Sequence, residues 1–297
     1  MKRRSKDTFL ICMFIAPSVI IFMLYRVIPI IWNFILSFQK YNLIGSNEWT
    51  GIRNYTAMLT DSVFWESLSN TAFYFAFGTP LAIFFALIIA LLVNEKLRGR
   101  DIYRTIIFLP YPMSTVAIGI IWKWLYDGKV GLINYILRGL HIIDTPIAFL
   151  ESFTWSLPSV VITSMWQVVG FYMVILLTGL QTIPNELYEV AEIDGATTGM
   201  KLKRITLPLL KPSIFLCFVV GIINSFTMFD LVYVMTGGGP GYSSEILVTH
   251  IYKNAFIYNR IGYGAAMTVF LFVMLLIITF IVNKITGEEA GGERYYE

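Results

Sequence analysis

The chain alternates long apolar runs with short charged segments. Six runs contain no Asp, Glu, Lys or Arg, and they cover residues 8–25, 67–94, 105–122, 152–185, 212–229 and 261–283. Each is close to or above the ~20 residues that a helix needs to cross about 30 Å of hydrocarbon. Because backbone polar groups must be satisfied within a bilayer, these runs are expected to be helices. The pattern predicts an all-α integral membrane protein with six spans, at about 9–37, 71–94, 104–126, 155–180, 210–233 and 261–284.

Composition supports this class, because 57% of the residues are hydrophobic and only 14% are charged. A soluble domain carries closer to a quarter of charged residues. The first apolar run is about twice as long as the core of a signal peptide and has no Ala-x-Ala-like end, so we expect an uncleaved span.

The distribution of Lys and Arg predicts the orientation. With the N-terminus inside, the three outer loops hold six basic residues, and the shorter inner segments hold fourteen: Lys2, Arg3, Arg4, Lys6, Lys96, Arg98, Arg100, Arg104, Lys201, Lys203, Arg204, Lys211, Lys284 and Arg294. Cytoplasmic segments are the ones enriched in Lys and Arg. We therefore expect a multi-pass protein of the cell membrane, with cytoplasmic tails at 1–8 and 285–297 around a transmembrane domain at 9–284.

Side chains that carry chemistry are sparse. The two histidines, His141 and His250, are far apart, and no Cys, His and Asp cluster has the spacing of a metal site. The sequence contains neither a Gly-x-Ser-x-Gly nucleophile motif nor a phosphate-binding loop. Cys12 and Cys217 fall inside predicted spans and are expected to pack as thiols. The sequence thus predicts no catalytic residue, no metal, no cofactor and no nucleic-acid partner for this chain.

Residues 181–208, between the fourth and fifth predicted spans, form a charged cytoplasmic loop. Their pattern predicts a short acidic helix, then Gly195 at a position that favours positive φ, then a basic helix capped by Thr197 or Thr198. Pro208 is expected to end that second helix, and Pro212 to mark the start of the fifth span. Two short helices joined by a glycine would then project from the membrane.

Part of this loop resembles the "EAA" signature of ABC-importer permeases, which is Glu-Ala-Ala, three residues, Gly, nine residues and Ile-x-Leu-Pro. Six positions match at this spacing, and Val190 replaces the middle alanine. The segment 229–240, which ends in Thr-Gly-Gly-Gly-Pro, is similar to maltose-type carbohydrate permeases, as are the segments 109–111 and 122–124. The resemblance covers roughly residues 65–285.

This resemblance implies a type I ABC-importer permease fold with a cytoplasmic coupling helix. It also implies partners: a second permease subunit in a heterodimer, two ATPase subunits that bind ATP and Mg²⁺, and an extracytoplasmic solute-binding protein. The 181–208 loop would couple this chain to the ATPase through Glu189, Ala191, Asp194, Gly195, Ile205, Leu207 and Pro208.

The resemblance further implies a substrate path through the third, fourth and fifth spans. The matching positions are Tyr111, Ser164, Gln167, Val168, Gly221, Asn224, Ser225 and Met228. Amides and hydroxyls of this kind bind sugar hydroxyls, and a tyrosine ring stacks on a sugar face. The same residue types also hold membrane helices together, so both roles stay open.

The charge pattern favours one class of substrate. No Lys or Arg occurs within 152–200 or 212–252, so a neutral sugar or oligosaccharide fits better than a strongly anionic solute. A glycerol phosphodiester or another polar solute is the alternative. Asp230 ends the charge-free core of the fifth predicted span and is expected to face water or to pair locally. Arg26 interrupts the first predicted span in its outer half, and its side chain is expected to reach the membrane interface.

Two other classes fit less well. A self-contained secondary transporter predicts internal repeats and charged coupling residues at mid-membrane. A membrane enzyme predicts clustered His, Asp or Glu at an interface. Neither pattern is present in the sequence.

Overall fold

A computed structural model describes residues 13–42, 47–95 and 99–290, apart from the side chains of 283 and 285–290. Several residues named above lie outside the described residues: Lys2, Arg3, Arg4, Lys6, Cys12, Lys96, Arg98 and Arg294. The described chain is mainly helical, as predicted.

The helices are joined by connections of different lengths. In chain order they are α1 (Met13–Leu36), α2 (Arg53–Thr60), α3 (Ser62–Asn94), α4 (Arg100–Phe108), α5 (Thr115–Leu125), α6 (Leu132–Gly139), α7 (Ser156–Gln181), α8 (Asn185–Ile193), α9 (Thr198–Thr227), α10 (Asp230–Met235), α11 (Leu247–Tyr252) and α12 (Ile261–Ala290). Between α1 and α2, strand β1 (Gln39–Lys40) pairs antiparallel with β2 (Glu48–Trp49), with Gln39 opposite Trp49.

Five helices in the described part are long and apolar enough to cross a membrane: α1, α3, α7, α9 and, over Ile261–Val282, α12. The predicted third span at 104–126 is not one helix, because α4 ends at Phe108 and α5 begins at Thr115. Pro110 and Pro112 lie in the gap, where each lacks the N–H that would continue the helical ladder. The expectation of six continuous spans is thus not reproduced.

Unlike Pro110 and Pro112, the two prolines after the charged loop do not interrupt a helix. The prediction that Pro208 ends a helix is wrong, because α9 is continuous through both Pro208 and Pro212. A wide π-type turn covers Leu202–Thr206, and the Leu207 N–H donates to the Leu202 carbonyl, five residues back. Such a turn shifts the hydrogen-bond register just before the proline ring, which lets the helix pass it. The fifth predicted span therefore begins ten residues before Pro208.

The chain divides into two compact units, residues 1–61 with 251–274 and residues 62–250 with 275–297. In the first unit, the Asn54 side-chain amide donates to the Ser37 and Gln39 carbonyls, which ties α2 to the end of α1 and to β1. The Tyr263 hydroxyl donates to Asp61 at 2.7 Å. These bonds hold the hairpin, α2 and the start of α12 together.

The second unit is built around α7, whose residues are mostly buried on the side that packs against the other helices. One core cluster joins α3, α7 and α9 and contains Ala86, Met173, Leu176 and Leu210 among others. Cys217 is buried in this cluster as a free thiol, as predicted. Small residues along α3 allow the close approach of α7, and the buried aliphatic side chains supply the stabilisation.

Candidate functional site

The second unit contains a cavity of about 440 Å³. Its wall is formed by α3, α5, α7, α9 and the two breaks at 109–114 and 228–229. All eight residues of the predicted path lie on this wall: Tyr111, Ser164, Gln167, Val168, Gly221, Asn224, Ser225 and Met228. The sequence positions chosen by motif alignment are therefore brought together in one place, while contact with a substrate stays a prediction.

The wall is fixed by bonds between the helices that form it. The Gln167 side-chain amide donates to Thr115 Oγ1 at 3.2 Å and to the Met113 carbonyl at 3.4 Å. The hydroxyls of Thr79 and Ser225 lie 3.2 Å apart. These contacts connect α7 to α5 and α3 to α9, so the same polar groups that face the cavity also hold its helices in register.

Tyr111 is held by an aromatic stack. Its ring lies parallel to that of Phe171, with 4.4 Å between centroids and 8° between planes. Phe171 belongs to α7, next to Gly170, and a Cβ at Gly170 would overlap the Ile107 carbonyl and lie 2.7 Å from Phe108 Cα. The missing side chain at Gly170 thus lets the end of α4 approach α7 and sets the position of Tyr111.

The sequence interpretation missed the contribution of α3. Tyr74, Gly78 and Thr79 lie on the cavity wall, and a Cβ at Gly221 would overlap Thr79. The resemblance pointed only to the third, fourth and fifth spans. The available signal was the Gly-Thr-Pro sequence at 78–80, a polar interruption in an otherwise apolar run.

The charge on the described part of the cavity wall is negative. Among the described residues that line it, Asp230 is the charged one, and no Lys or Arg is present. Asp230 opens α10 after the break at Met228 and Phe229, and it is exposed. The carboxylate therefore has access to water, as expected, but it has this access on the wall of the cavity. A wall with hydroxyls, amides and one carboxylate suits a ligand that donates hydrogen bonds.

The charged loop forms α8, a glycine turn and the first turns of α9. Gly195 has φ +76°, its N–H donates to Glu192, and the Ala196 N–H donates to the Ala191 carbonyl. This pairing is a Schellman motif, which requires a left-handed residue where glycine has no steric penalty. Thr197 caps the following helix by accepting from the Met200 N–H. The glycine break is therefore as predicted, and of the two predicted capping residues it is Thr197 that caps, while Thr198 is the first residue of α9.

Two side-chain contacts hold α8 against α9. Lys201 Nζ donates to Glu192 Oε1 at 2.6 Å, and the hydroxyls of Tyr188 and Thr206 lie 3.0 Å apart. The hydrogen bond from Lys201 and the positive charge of its ammonium group hold the pKa of the Glu192 carboxyl below its usual range. We call these two contacts the α8 brace. Neither Tyr188 nor Glu192 was predicted from the sequence to hold α8 in place.

The coupling positions differ in exposure. Ala191, Ile205 and Leu207 are half-buried, and Ile205 packs against the core cluster of α3, α7 and α9. The other coupling positions are exposed: Glu189, Asp194, Gly195 and Pro208. Glu189 takes part in none of the ion pairs of the described chain. On α8 the apolar side chains of Leu187, Val190 and Ile193 are also exposed, and Ile193 is 86% accessible. The helix is thus anchored on one side and open on the other.

This chain belongs to the family described as "Binding-protein-dependent transport system inner membrane component", whose sequence profile matches residues 78–286. The matched segment contains the 181–208 loop and most of the cavity wall. The resemblance to ABC-importer permeases is thereby confirmed, and the chain is a multi-pass protein of the inner membrane.

Several relatives match nearly the whole chain, among them two that are named after a carbohydrate. The trehalose/maltose transport system permease protein MalF of Thermococcus litoralis is 32% identical over 288 residues, which cover 96% of each chain. The arabinooligosaccharides transport system permease protein AraP of Bacillus subtilis is 35% identical over 282 residues, which cover 94% of this chain and 89% of AraP. Both are named as carbohydrate permeases.

Solved structures show the fold. A bacterial ABC transporter involved in the import of the acidic polysaccharide alginate matches with a TM-score of 0.84 at 23% identity, over 97% of this chain and 98% of that chain. The bacterial alginate transporter in complex with alginate pentasaccharide-bound periplasmic protein matches with a TM-score of 0.83 at 22% identity, over 96% of each. The fold is that of type I ABC-importer permeases.

Proposed function

We propose that this chain is the permease subunit of an importer for a neutral sugar or oligosaccharide. The observation that carries the proposal is the cavity of about 440 Å³, whose wall has amide and hydroxyl groups, Tyr111 and Asp230, and no cation among its described residues. Sugar hydroxyls donate to such groups, and a sugar ring packs on the aromatic ring. The names of MalF and AraP support the same substrate class.

The mechanism that we infer needs partner subunits. An extracytoplasmic binding protein delivers the sugar, a second permease completes the pathway, and two ATPase subunits bind ATP and Mg²⁺ and supply the energy. In this proposal the chain performs no reaction itself, and both termini lie in the cytoplasm. The braced α8 helix, with Leu187, Val190 and Ile193 exposed, has the stiffness and the open apolar face that docking on an ATPase requires.

A glycerol phosphodiester is the alternative cargo. Asp230 on the wall and the lack of Lys and Arg there disfavour it, because an anion would face a carboxylate without a compensating cation.

The test is uptake by the assembled transporter in proteoliposomes with its binding protein. Radiolabelled maltose and arabino-oligosaccharides are the neutral probes, and glycerophosphodiesters and alginate oligosaccharides are the anionic ones. We expect ATP-dependent uptake of a neutral probe and no competition from the anionic ones. Uptake of an anionic probe alone would overturn the proposed cargo. Retained uptake in a variant that lacks residues 185–194 would overturn the coupling role.

A further inference from the structure

A second cavity, separate from the one described above, lies wholly within the first unit. Its volume is about 590 Å³, in the range of small-ligand sites. It is lined by the hairpin, by α2 and by the start of α12. Three cations, Lys40, Arg53 and Arg260, face one carboxylate, Asp61, on this wall. The excess positive charge distinguishes it from the sugar cavity, which has no cation on its described wall.

The polar groups that build the wall are hydrogen-bonded to one another or to the backbone, whereas the three cations form no ion pair within the described residues. Asp61 accepts the Tyr263 hydroxyl, and the Asn54 amide binds two backbone carbonyls. Within the described residues, none of the three cations forms an ion pair with a carboxylate, and all three are exposed. The frame is thus rigid, and its positive groups are available for an anion.

Gly262 is the point at which the frame closes. Its N–H donates to the Tyr41 carbonyl at 3.2 Å, and a Cβ at this position would overlap the Gln39 carbonyl. The first turn of α12 therefore lies directly against β1. This contact brings Arg260 to the same cavity as Lys40, although the two are 220 positions apart in the chain.

The depth of the cavity points to the membrane surface. Arg260 directly precedes the apolar span of α12, and Lys40 follows the end of α1 by four residues. The headgroup regions add some 5–8 Å to each side of the hydrocarbon layer, so residues this close to span ends lie among lipid headgroups. Trp49 and Tyr258, at 67% and 52% exposure, belong to the same unit. Exposed Trp and Tyr are typical of membrane interfaces.

We propose that this basic cavity binds the phosphate group of an anionic phospholipid, on the side of the membrane predicted to be extracytoplasmic. Arg53 and Arg260 donate to the phosphate oxygens, and Lys40 adds a third positive charge. The exposed apolar side chains of Ile52, Phe256 and Ile257 supply a surface for the acyl chains. Lys and Arg side chains near a membrane surface attract anionic lipid headgroups.

The experiment uses the full chain, purified with its transporter partners in detergent and titrated with dioleoylphosphatidylglycerol while bound lipid is counted by native mass spectrometry. The double variant Arg53→Gln/Arg260→Gln is compared with Lys129→Gln/Arg138→Gln, which removes two cations predicted to lie on the same side. We expect binding to weaken by about tenfold or more in the first variant and to stay unchanged in the second. Equal binding in the first variant and wild type, or equal loss in both variants, overturns the proposal.

Two further measurements distinguish a lipid phosphate from free phosphate, and a loss of binding from a loss of folding. Inorganic phosphate at millimolar concentration should not displace the lipid, and displacement would assign the cavity to a free anion instead. Brominated phosphatidylglycerol should quench Trp49; this part of the quenching should vanish in Trp49→Phe and decrease in Lys40→Gln at a subsaturating lipid concentration. If the Arg53→Gln/Arg260→Gln protein does not fold, the Lys40→Gln quenching result decides: unchanged quenching overturns the proposal.

Discussion

Gly195 ends α8 with a backbone that an ordinary side chain resists. Its φ of +76° lies in the left-handed region, although a Cβ there would meet no atom within 4 Å. The cost of substitution is therefore conformational and not steric, at about 1–2 kcal/mol for most residues and less for Asn. We expect Gly195→Val to lower the unfolding temperature and transport, and Gly195→Asn to retain most of both. Equal behaviour of the two variants in thermal unfolding and uptake would contradict this account.

At Gly170, in contrast, the cost of substitution is steric, because there is no space for a Cβ. A Cβ would overlap the Ile107 carbonyl, so the end of α4 must move, and Tyr111 must move with it. We expect Gly170→Ala to destabilise the protein by about 1–3 kcal/mol and to reduce uptake. Gly139→Ala is the matched control, because a Cβ there meets nothing within 4 Å. Thermal unfolding and uptake of both variants provide the measurement, and a neutral Gly170→Ala would refute the close approach.

Among single residues, those selected by motif alignment lie on the cavity wall, whereas other residues of the same wall were not recognised from the sequence. Gln167 and Ser225, which were selected by motif alignment, both lie on the cavity wall, because their positions follow from fixed spacings along one chain segment. It could not select Thr79, whose place on the wall depends on the packing of α3 against Gly221, 142 residues away. Asp230 was not predicted to lie on the cavity wall. Its position between two helix segments depends on a backbone break that hydropathy does not reveal.

At the level of helices, the two contacts of the α8 brace fix α8 against α9. The bond from Lys201 keeps the pKa of Glu192 below its usual range, so this contact of the brace is present at neutral pH and is lost as pH falls through that lowered pKa. We expect Glu192→Gln to increase amide hydrogen exchange of residues 185–193 at neutral pH, measured by mass spectrometry on the assembled transporter. The difference from wild type should disappear at acidic pH, where the wild-type carboxyl is also protonated.

The matched control for the brace is Glu189→Gln on the same helix. Glu189 is exposed and forms no ion pair within the described chain, so exchange in residues 185–193 should stay at the wild-type level. An equal increase in both variants would show that charge on α8, and not the bond to Lys201, sets the protection.

Helices were predicted well at this scale, and their interruptions were not. Runs without charge located α1, α3, α7, α9 and α12, because hydrocarbon excludes charge regardless of local packing. Proline was a poor guide to breaks. Pro110 and Pro112 lie in a true gap, whereas Pro208 and Pro212 lie within α9, since a π-type turn at Leu202–Thr206 precedes them. The difference lies in backbone register, which residue identity alone does not specify.

Across the whole of the second unit, two helices join the cavity to the loop. α7 carries Gln167 on the cavity wall and ends at Gln181, and α9 begins at Thr198 and carries Gly221 and Ser225 on the wall. At 1.5 Å per residue the cavity lies about 20 Å from the end of α7. Between the two sites, Met173 and Leu176 of α7 are completely buried against α3 and α9. Displacement of α8 would reach the cavity through this packed segment.

The packing between the sites should therefore control how much sugar moves per ATP hydrolysed. Leu176→Ala removes a buried side chain at a cost of about 2–5 kcal/mol, and the cavity that it leaves lets α7 move without its neighbours. We expect the ratio of sugar uptake to ATP hydrolysis in proteoliposomes to fall, with hydrolysis retained. Val174→Ala, on the exposed side of the same helix, should keep the wild-type ratio. A normal ratio in Leu176→Ala, together with a lowered unfolding temperature, would mean that the core stabilises the fold without transmitting motion.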